Sequence, residues 1–403
     1  MKVGGELMDF RAITLDPETE AFREEVVRFL DKHLTDEVLQ EERRTGNGHH
    51  PLFHAALAAR GWILPMWPVD EGGAGLDPLR ARILALELAW RGAMSVSISR
   101  LITTTVALGL RAHASDELKQ EVLPAVARGA ALMCLGYTEP GSGSDMAAAN
   151  TRSIREDDHW LIRGQKMFTT GAQNADYVWL LTRSDPDAPK NKGLTMFLVP
   201  LDLPGVEITP IITLGGERTN TVYFDDVRVS DHYRVGPAGQ GWQVVAGALD
   251  AEHRMGKIED RGIGDDGNLG TWQGLVHRLT DAGLRWSATA RHPDGTPVID
   301  DPLVRERLAR VALDAEISFL TGGPMSKIVT AESLIRGAAD LVDLVGPAGT
   351  LSADADGAVC DGEIEFLHRF AQGTAIYGGS IEVFHNLLAE RMLGLPRARM
   401  RPA

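Results

Sequence analysis

What most restricts this chain of 403 residues is a change of hydrophobic period, made once near residue 133 and reversed near residue 241. Before the first change, apolar residues recur at helical spacing. Asp16-Pro17 reads as a helix start: a capping carboxylate is followed by proline at the first helical position, where an N–H has no partner anyway. Phe22, Val26, Leu30 and Leu34 then recur every four residues and share one helix face. Residues 52–60, 79–92, 100–113 and 116–128 are also helix-like, punctuated by Gly61 and by Asp70, Gly72, Gly73 and Gly75. After residue 133 come short runs rich in β-branched and aromatic residues, at 159–169, 177–182, 194–201, 206–214 and 221–229. Gly193, Pro204-Gly205 and Gly215-Gly216 separate them, which predicts a compact antiparallel barrel or sandwich, with 185–193 as a solvated hairpin loop. From 241 to about 395 the helical period returns, weaker at 260–270 and 345–362. Strands and helices do not alternate, which argues against a doubly wound nucleotide-binding sheet. The predicted organisation is mainly α with a central β domain: a helical domain over 1–132, a β domain over 133–240 and a helical domain over 241–403.

Composition removes several classes of function. Lys and Arg number 41 against 56 Asp and Glu, a formal charge of −15. That balance argues against binding driven by phosphate neutralisation, so no nucleic-acid partner is expected. No stretch reaches the roughly 18 apolar residues of a membrane helix, and MKVGGELMDFRAI lacks the basic start and apolar run of a signal peptide. Cys134 and Cys360 lie far apart and form neither a disulfide framework nor a ligand pair. The expectation is a cytoplasmic protein without membrane insertion. His50 and His54 have the i, i+4 spacing of a zinc pair, but no carboxylate stands between them and Pro51 interrupts, so no metal is expected.

Two segments carry chemistry. In Tyr137-Thr138-Glu139-Pro140-Gly141-Ser142-Gly143-Ser144-Asp145, glycines and small hydroxyl residues let a backbone turn tightly and aim several N–H groups at one acceptor. A structural Gly/Ser turn has the same look. In Gly164-Gln165-Lys166-Met167-Phe168-Thr169-Thr170-Gly171, an aromatic and hydroxyls at a strand end suit the flank of a flat cofactor, or equally a core.

The two segments and the gap between them resemble the central domain of the acyl-CoA dehydrogenase family of FAD-dependent flavoproteins. GWILPMWPVDEGGAG (61–75), the stretch 193–241 with FDDVRV and GPAGQGW, ARHPDGTPVIDDPLVRERLA (290–309), AIYGGS (375–380) and NLLAERMLGLPR (386–397) extend the likeness along nearly the whole chain. The resemblance implies an N-terminal helical domain, a β-barrel and a C-terminal four-helix bundle. It also implies FAD and an acyl-CoA or acyl carrier thioester as substrate. Electrons would go to an electron-transferring flavoprotein, and the oligomer would be a homodimer or homotetramer. By position, Tyr137 and Thr138 would contact the flavin ring, with Gly143 in the same turn. Ser144 would meet the flavin pyrophosphate or the substrate's phosphopantetheine. Phe168 stands where the family has tryptophan against the ring, and Thr170 where a hydroxyl reaches flavin N5. Arg291 resembles the arginine that meets the diphosphate of a neighbouring subunit's cofactor, and Gly346 lies in VDLVGPAG, the counterpart of another cofactor segment. Asp294 and Asp343 depart from the family's phenylalanine and glutamine there, which alters how the adenosine end would be held.

The family's reaction abstracts an α proton while hydride leaves the β carbon for flavin N5, so a carboxylate in a dry pocket is required. One branch carries that base in a Y-E-G-T-like turn; here Tyr377-Gly378-Gly379-Ser380 has glycine in its place. Another places glutamate in an E-R pair after the barrel, and this chain has Asp250-Ala251-Glu252-His253-Arg254. Counting from Gly241-Trp242 selects Glu252; counting back from Arg254 selects His253. Glu252 is the expected base, with Arg254 expected at the substrate. Glu382 reads as a solvated or capping residue. Arg91 and Arg100, on helices expected near the acyl pocket, either meet a polar acyl group or serve structure. The implied activity is α,β-dehydrogenation of an acyl thioester. The base region and Asp294 also leave open altered flavin chemistry on the same fold (C–S cleavage as in desulfination, enoyl reduction or oxygenation), or a partner subunit that completes a hetero-oligomer's site.

Overall fold

The computed structural model describes residues 2–3, 6–7, 14–246, 271–321 and 323–396. Six helices come first: α1 (Pro17–His33), α2 (Asp36–Thr45), α3 (Pro51–Ala58), α4 (Pro78–Trp90), α5 (Ile98–His113) and α6 (Asp116–Ala127). The first starts as its sequence predicts, with the Asp16 carboxylate accepting from the N–H groups of Glu18 and Thr19 at 3.0 and 2.9 Å. Val26 and Leu30 are buried, and Phe22 and Leu34 pack against them from the same stripe.

A two-residue ribbon, β1 (Lys2–Val3) with β2 (Glu6–Leu7), precedes these helices. An eight-stranded sheet follows them: β3 (Met133–Gly136), β4 (Arg152–Glu156), β5 (His159–Lys166), β6 (Tyr177–Arg183), β7 (Leu194–Pro200), β8 (Val206–Ile212), β9 (Arg218–Ser230) and β10 (Arg234–Val235). Its order is β10-β7-β6-β4-β5-β9-β8, with β3 pairing β6. The sheet is not purely antiparallel, because β3 and β4 each meet β6 in parallel. Both strands escape the sequence pattern for a physical reason. β3 is four residues long and buried on both faces, while β4 buries only Ser153 along its length. Pro210 sits on β8 at the end of the order, where a missing N–H breaks no inner ladder.

The sheet separates two cores. Trp179 and Leu181 of β6 face the helices of the first half, while Val178 and Leu180 point to the opposite face with Phe197 and Phe224. Gly109 lets α5 lie against the Trp179 ring, since a Cβ there would stand 2.9 Å from it. The last part of the chain is a bundle of α7 (Thr271–Thr289), α8 (Pro302–Leu320), α9 (Gly323–Val345), α10 (Glu363–Thr374) and the short α11 (Ile381–Leu387). Its core is centred on Leu279, Leu308, Leu334, Leu341 and Leu367, and it reaches the first helices through Met94 and Leu101. No described helix is long and apolar enough to cross a membrane.

Candidate active site

The two motif segments, 137–145 and 164–171, form one wall. The Met167 N–H donates to the Thr138 carbonyl at 2.8 Å, joining the end of β5 to the turn after β3. Beneath that tie, Lys166 Nζ donates to Glu139 Oε1 at 2.7 Å and to the Tyr137 carbonyl at 3.2 Å. The Glu139 carboxylate also accepts from the N–H groups of Asn150 and Thr151 at 2.7 and 2.9 Å. Both side chains are nearly inaccessible, Lys166 at 0% and Glu139 at 6%. Burial works to raise the Glu139 pKa, but Lys166 and the two backbone donors outweigh it and hold it low. Burial draws Lys166 down to about 8 against the pull of Glu139. The pair is thus ionised at neutral pH and fixes the path of residues 137–139.

The exposed side of this wall suits a flat, anionic cofactor. Phe168 takes a left-handed backbone conformation (φ 54°) and holds its ring 57% exposed, an arrangement disfavoured for an aromatic unless something covers the ring. Thr170 Oγ1 lies 3.2 Å from Thr219 Oγ1 of β9, and the Thr169 N–H donates to the Asn220 carbonyl. The hydroxyls of Thr169 and Ser142 are buried without a partner among the described residues. Positions where Gly141 and Gly143 would carry a Cβ are open to 4 Å, so a ligand can approach that backbone closely. Ser144 is exposed beside them. Tyr137 turns its hydroxyl inward, accepting from Trp179 Nε1 at 2.9 Å, so its backbone is what faces the wall. Orphaned hydroxyls, an open glycine turn and a displayed aromatic fit the donor needs and the flat face of a flavin cofactor.

The other expected residues fall elsewhere. Arg291 is exposed and folds back on the end of α7, donating to the carbonyls of Ala288, Thr289 and Ala290. Asp294 closes the adjacent turn through Thr296 N–H and Oγ1 at 2.9 and 2.6 Å. Gly346 follows α9 at φ 74° with open space around it, and Asp343 pairs with Arg307 at 2.8 Å. The hydrogen bonds and ion pairs of Arg291, Asp294 and Asp343 go to residues outside 137–171. Glu252, His253 and Arg254 lie outside the described residues. Glu382 is exposed at the start of α11. Arg91 is committed to Asp31 at 2.7 Å on the surface, whereas Arg100 is buried. His50 caps α3 by accepting from the Phe53 N–H at 3.2 Å, and no metal-binding cluster occurs among the described residues.

Sequence reasoning overlooked an acidic junction where the three parts of the chain meet. Tyr377 of the Y-G-G-S turn donates its hydroxyl to Glu217 Oε2 at 2.8 Å. Glu42 at the end of α2 accepts from the Gly48 N–H at 2.8 Å and feels the Glu217 charge. Burial pushes Glu42 up to about 7 and raises Glu217 as well. Gly46 is obligatory here: its Cβ would stand 2.1 Å from the Gly216 carbonyl, and its own carbonyl accepts from the Arg218 N–H at 2.8 Å. A glutamate after paired glycines in a hairpin looks solvated, and no local pattern announces otherwise.

Six helices on one face of a central sheet, a C-terminal bundle packed on those helices, and a wall at the ends of β3 and β5 suit an enzyme that holds a flat cofactor. Family models for the N-terminal, middle and C-terminal domains of acyl-CoA dehydrogenase match residues 16–130, 134–227 and 320–393. Acyl-CoA dehydrogenase FadE26 of Mycobacterium tuberculosis is 30% identical over 96% of this chain and 99% of its own. Among solved structures, the ChsE4-ChsE5 complex of Mycobacterium tuberculosis is 29% identical, with a TM-score of 0.83 over 96% of this chain and all of that one. A structure titled Tcur3481-Tcur3483 steroid ACAD is also 29% identical, with a TM-score of 0.83 over 97% and 100%. The chain belongs to the acyl-CoA dehydrogenase family and is an oxidoreductase acting on CH–CH bonds. Members of this family are flavoproteins.

Proposed function

We propose that this chain is an FAD-binding acyl-CoA dehydrogenase subunit that converts an acyl thioester to its 2,3-enoyl thioester in the cytoplasm and passes electrons to an electron-transferring flavoprotein. The observation that carries the reading is the Thr138–Met167 tie, which merges the two cofactor-like segments into one wall beside the displayed Phe168 ring. In this reading the backbone of Tyr137 and Thr138 holds the ring edge, Phe168 packs on its face, and the Thr170 hydroxyl stands at its reactive side. Gly143 and Ser144 offer donors to a pyrophosphate or a pantetheine. Bound FAD would supply the hydride acceptor for the substrate's β carbon. Glu252 takes the α proton, and Arg254 orients the thioester. Gly378 supplies no carboxylate, and Tyr377 is bonded to Glu217, so the turn at 377–380 offers no competing base. Arg291 and Gly346 serve a neighbouring subunit's cofactor, in keeping with the exposed Arg291 and the open space around Gly346.

That neighbour is a different chain in our reading, not a second copy. Two solved relatives carry two protein names in their titles, and one is titled a steroid ACAD, which supports a hetero-oligomer acting on a bulky, ring-bearing acyl group. The test is anaerobic titration of the purified protein with a panel of acyl-CoAs, alone and co-expressed with a neighbouring paralogue, following the flavin absorption band. Bleaching by a saturated thioester upholds dehydrogenation. A bound flavin that no acyl-CoA bleaches in either preparation rejects it.

A further inference from the structure

We propose that Arg100, with Ser99 and His54, forms a buried anion subsite that receives a carboxylate carried by the substrate's acyl group; this rests on the acyl thioester reading above. Arg100 stands in the first turn of α5 and is only 4% exposed. Burial lowers its pKa to about 10, which still leaves the guanidinium charged at neutral pH. A buried charge is stable only when paired or fully hydrogen-bonded. Other shielded cations meet that demand: Lys166 has Glu139, and Arg43 and Arg278 share Glu363. Arg100 has neither ion pair nor hydrogen bond from its side chain among the described residues, and Nε is fully enclosed. Burial is what shifts it, with no carboxylate of the described residues contributing.

The groups around it are of the same kind. Ser99 Oγ, both ring nitrogens of His54 and Nδ1 of His49 are buried and unpartnered among the described residues. The two imidazoles lie 5.1 Å apart, and His54 feels both His49 and the Arg100 charge. Burial and these neighbours hold His54 near 4, so it is neutral and keeps one N–H to donate. The N-terminal end of the sixteen-residue α5 adds its own preference for negative charge. Planar guanidinium geometry matches a carboxylate in a bidentate pair.

Position ties this cluster to the active site. Ser99 Oγ lies 2.9 Å from where a Gly171 Cβ would stand, one residue beyond Thr170 on the loop that displays Phe168. The first turn of α5 thus packs directly against that loop, and in this proposal the far end of the acyl group is directed toward it. A phosphate of FAD or CoA offers similar anionic oxygens, and the experiment separates these sources.

The experiment is calorimetric titration of the flavin-loaded protein with ω-carboxyacyl-CoAs, each paired with the methyl-terminated acyl-CoA of equal length. Wild type is expected to prefer the carboxylate partner of at least one pair by roughly 10- to 100-fold, the worth of a charge-assisted contact. Arg100→Met should abolish the preference while methyl-terminated ligands bind as before, Arg100→Lys should restore part of it, and His54→Gln should reduce it several-fold. Equal binding of both partners by wild type overturns the subsite and leaves the acyl thioester reading standing. Loss of FAD, or equal weakening of both ligands in Arg100→Met, assigns the guanidinium to a phosphate and also overturns it. Failure of every acyl-CoA to bind removes the acyl thioester reading and the subsite together.

Discussion

Removing the Glu139 carboxylate most directly tests what holds the 137–171 wall together. In Glu139→Ala the Lys166 ammonium remains at 0% exposure with only the Tyr137 carbonyl, 3.2 Å away, to stabilise it. Breaking one side of a buried ion pair costs about 3–5 kcal/mol. The variant also strands the buried Thr151 N–H, which adds about 1–3 kcal/mol. The double variant Glu139→Leu/Lys166→Met behaves differently, because an apolar pair of similar volume carries no desolvation penalty. It keeps the cost of the unpaired Thr151 N–H, which the single variant carries as well, so it should be roughly 3 kcal/mol more stable than the single variant. Denaturant unfolding of the flavin-loaded protein, read by flavin release and by far-UV signal, measures both differences. Because the pair fixes residues 137–139, flavin release should move ahead of the backbone transition in Glu139→Ala. A single variant within about 1 kcal/mol of wild type, or a double variant no better than the single, would refute the reasoning.

Three further outcomes are expected. Phe168→Gly should act with opposite signs: relief of the left-handed conformation stabilises the apoprotein by about 1 kcal/mol, while loss of the displayed ring weakens flavin binding by roughly 2- to 12-fold. Fluorescence titration with FAD and apoprotein melting read the two effects separately. Glu42 has a folded pKa of about 7 against an ordinary 4.5, so it keeps its proton in the fold while the unfolded chain loses it. Stability due to this group is therefore whole below pH 4.5, falls as pH rises to about 7, and stays reduced above, by at most about 3 kcal/mol. Glu42→Gln should be the more stable protein at pH 8 and show no gain at pH 4.5, measured as unfolding midpoints across that range. Glu252→Gln should abolish thioester-dependent flavin bleaching with flavin still bound, whereas Glu217→Gln should leave turnover within a few-fold; the reverse pattern would move proton abstraction to the Tyr377-bonded carboxylate, and loss in His253→Gln alone would move it to the imidazole.

What the sequence determined by itself was local chemistry and order. A capping aspartate before proline, a four-residue apolar stripe and glycine-punctuated β-branched runs act over a few residues, so the sequence of helices, sheet and helices was legible. So were the two motif segments, because their residue types are chemically distinctive wherever the chain puts them. β3 and β4 were not legible, since a short strand buried on both faces and a strand that buries one residue have no period to read. Only tertiary structure decided which charges acquire partners. Arg91 and Arg100 look alike in sequence, yet one meets Asp31 on the surface while the other is enclosed at the first turn of α5. Glu139 finds Lys166 twenty-seven residues away, and Glu217 finds Tyr377 at a separation of 160. Burial and pairing are set by every element that packs around a group, so the desolvation that shifts Glu42, Lys166 and His54 has no counterpart in any local stretch of the chain.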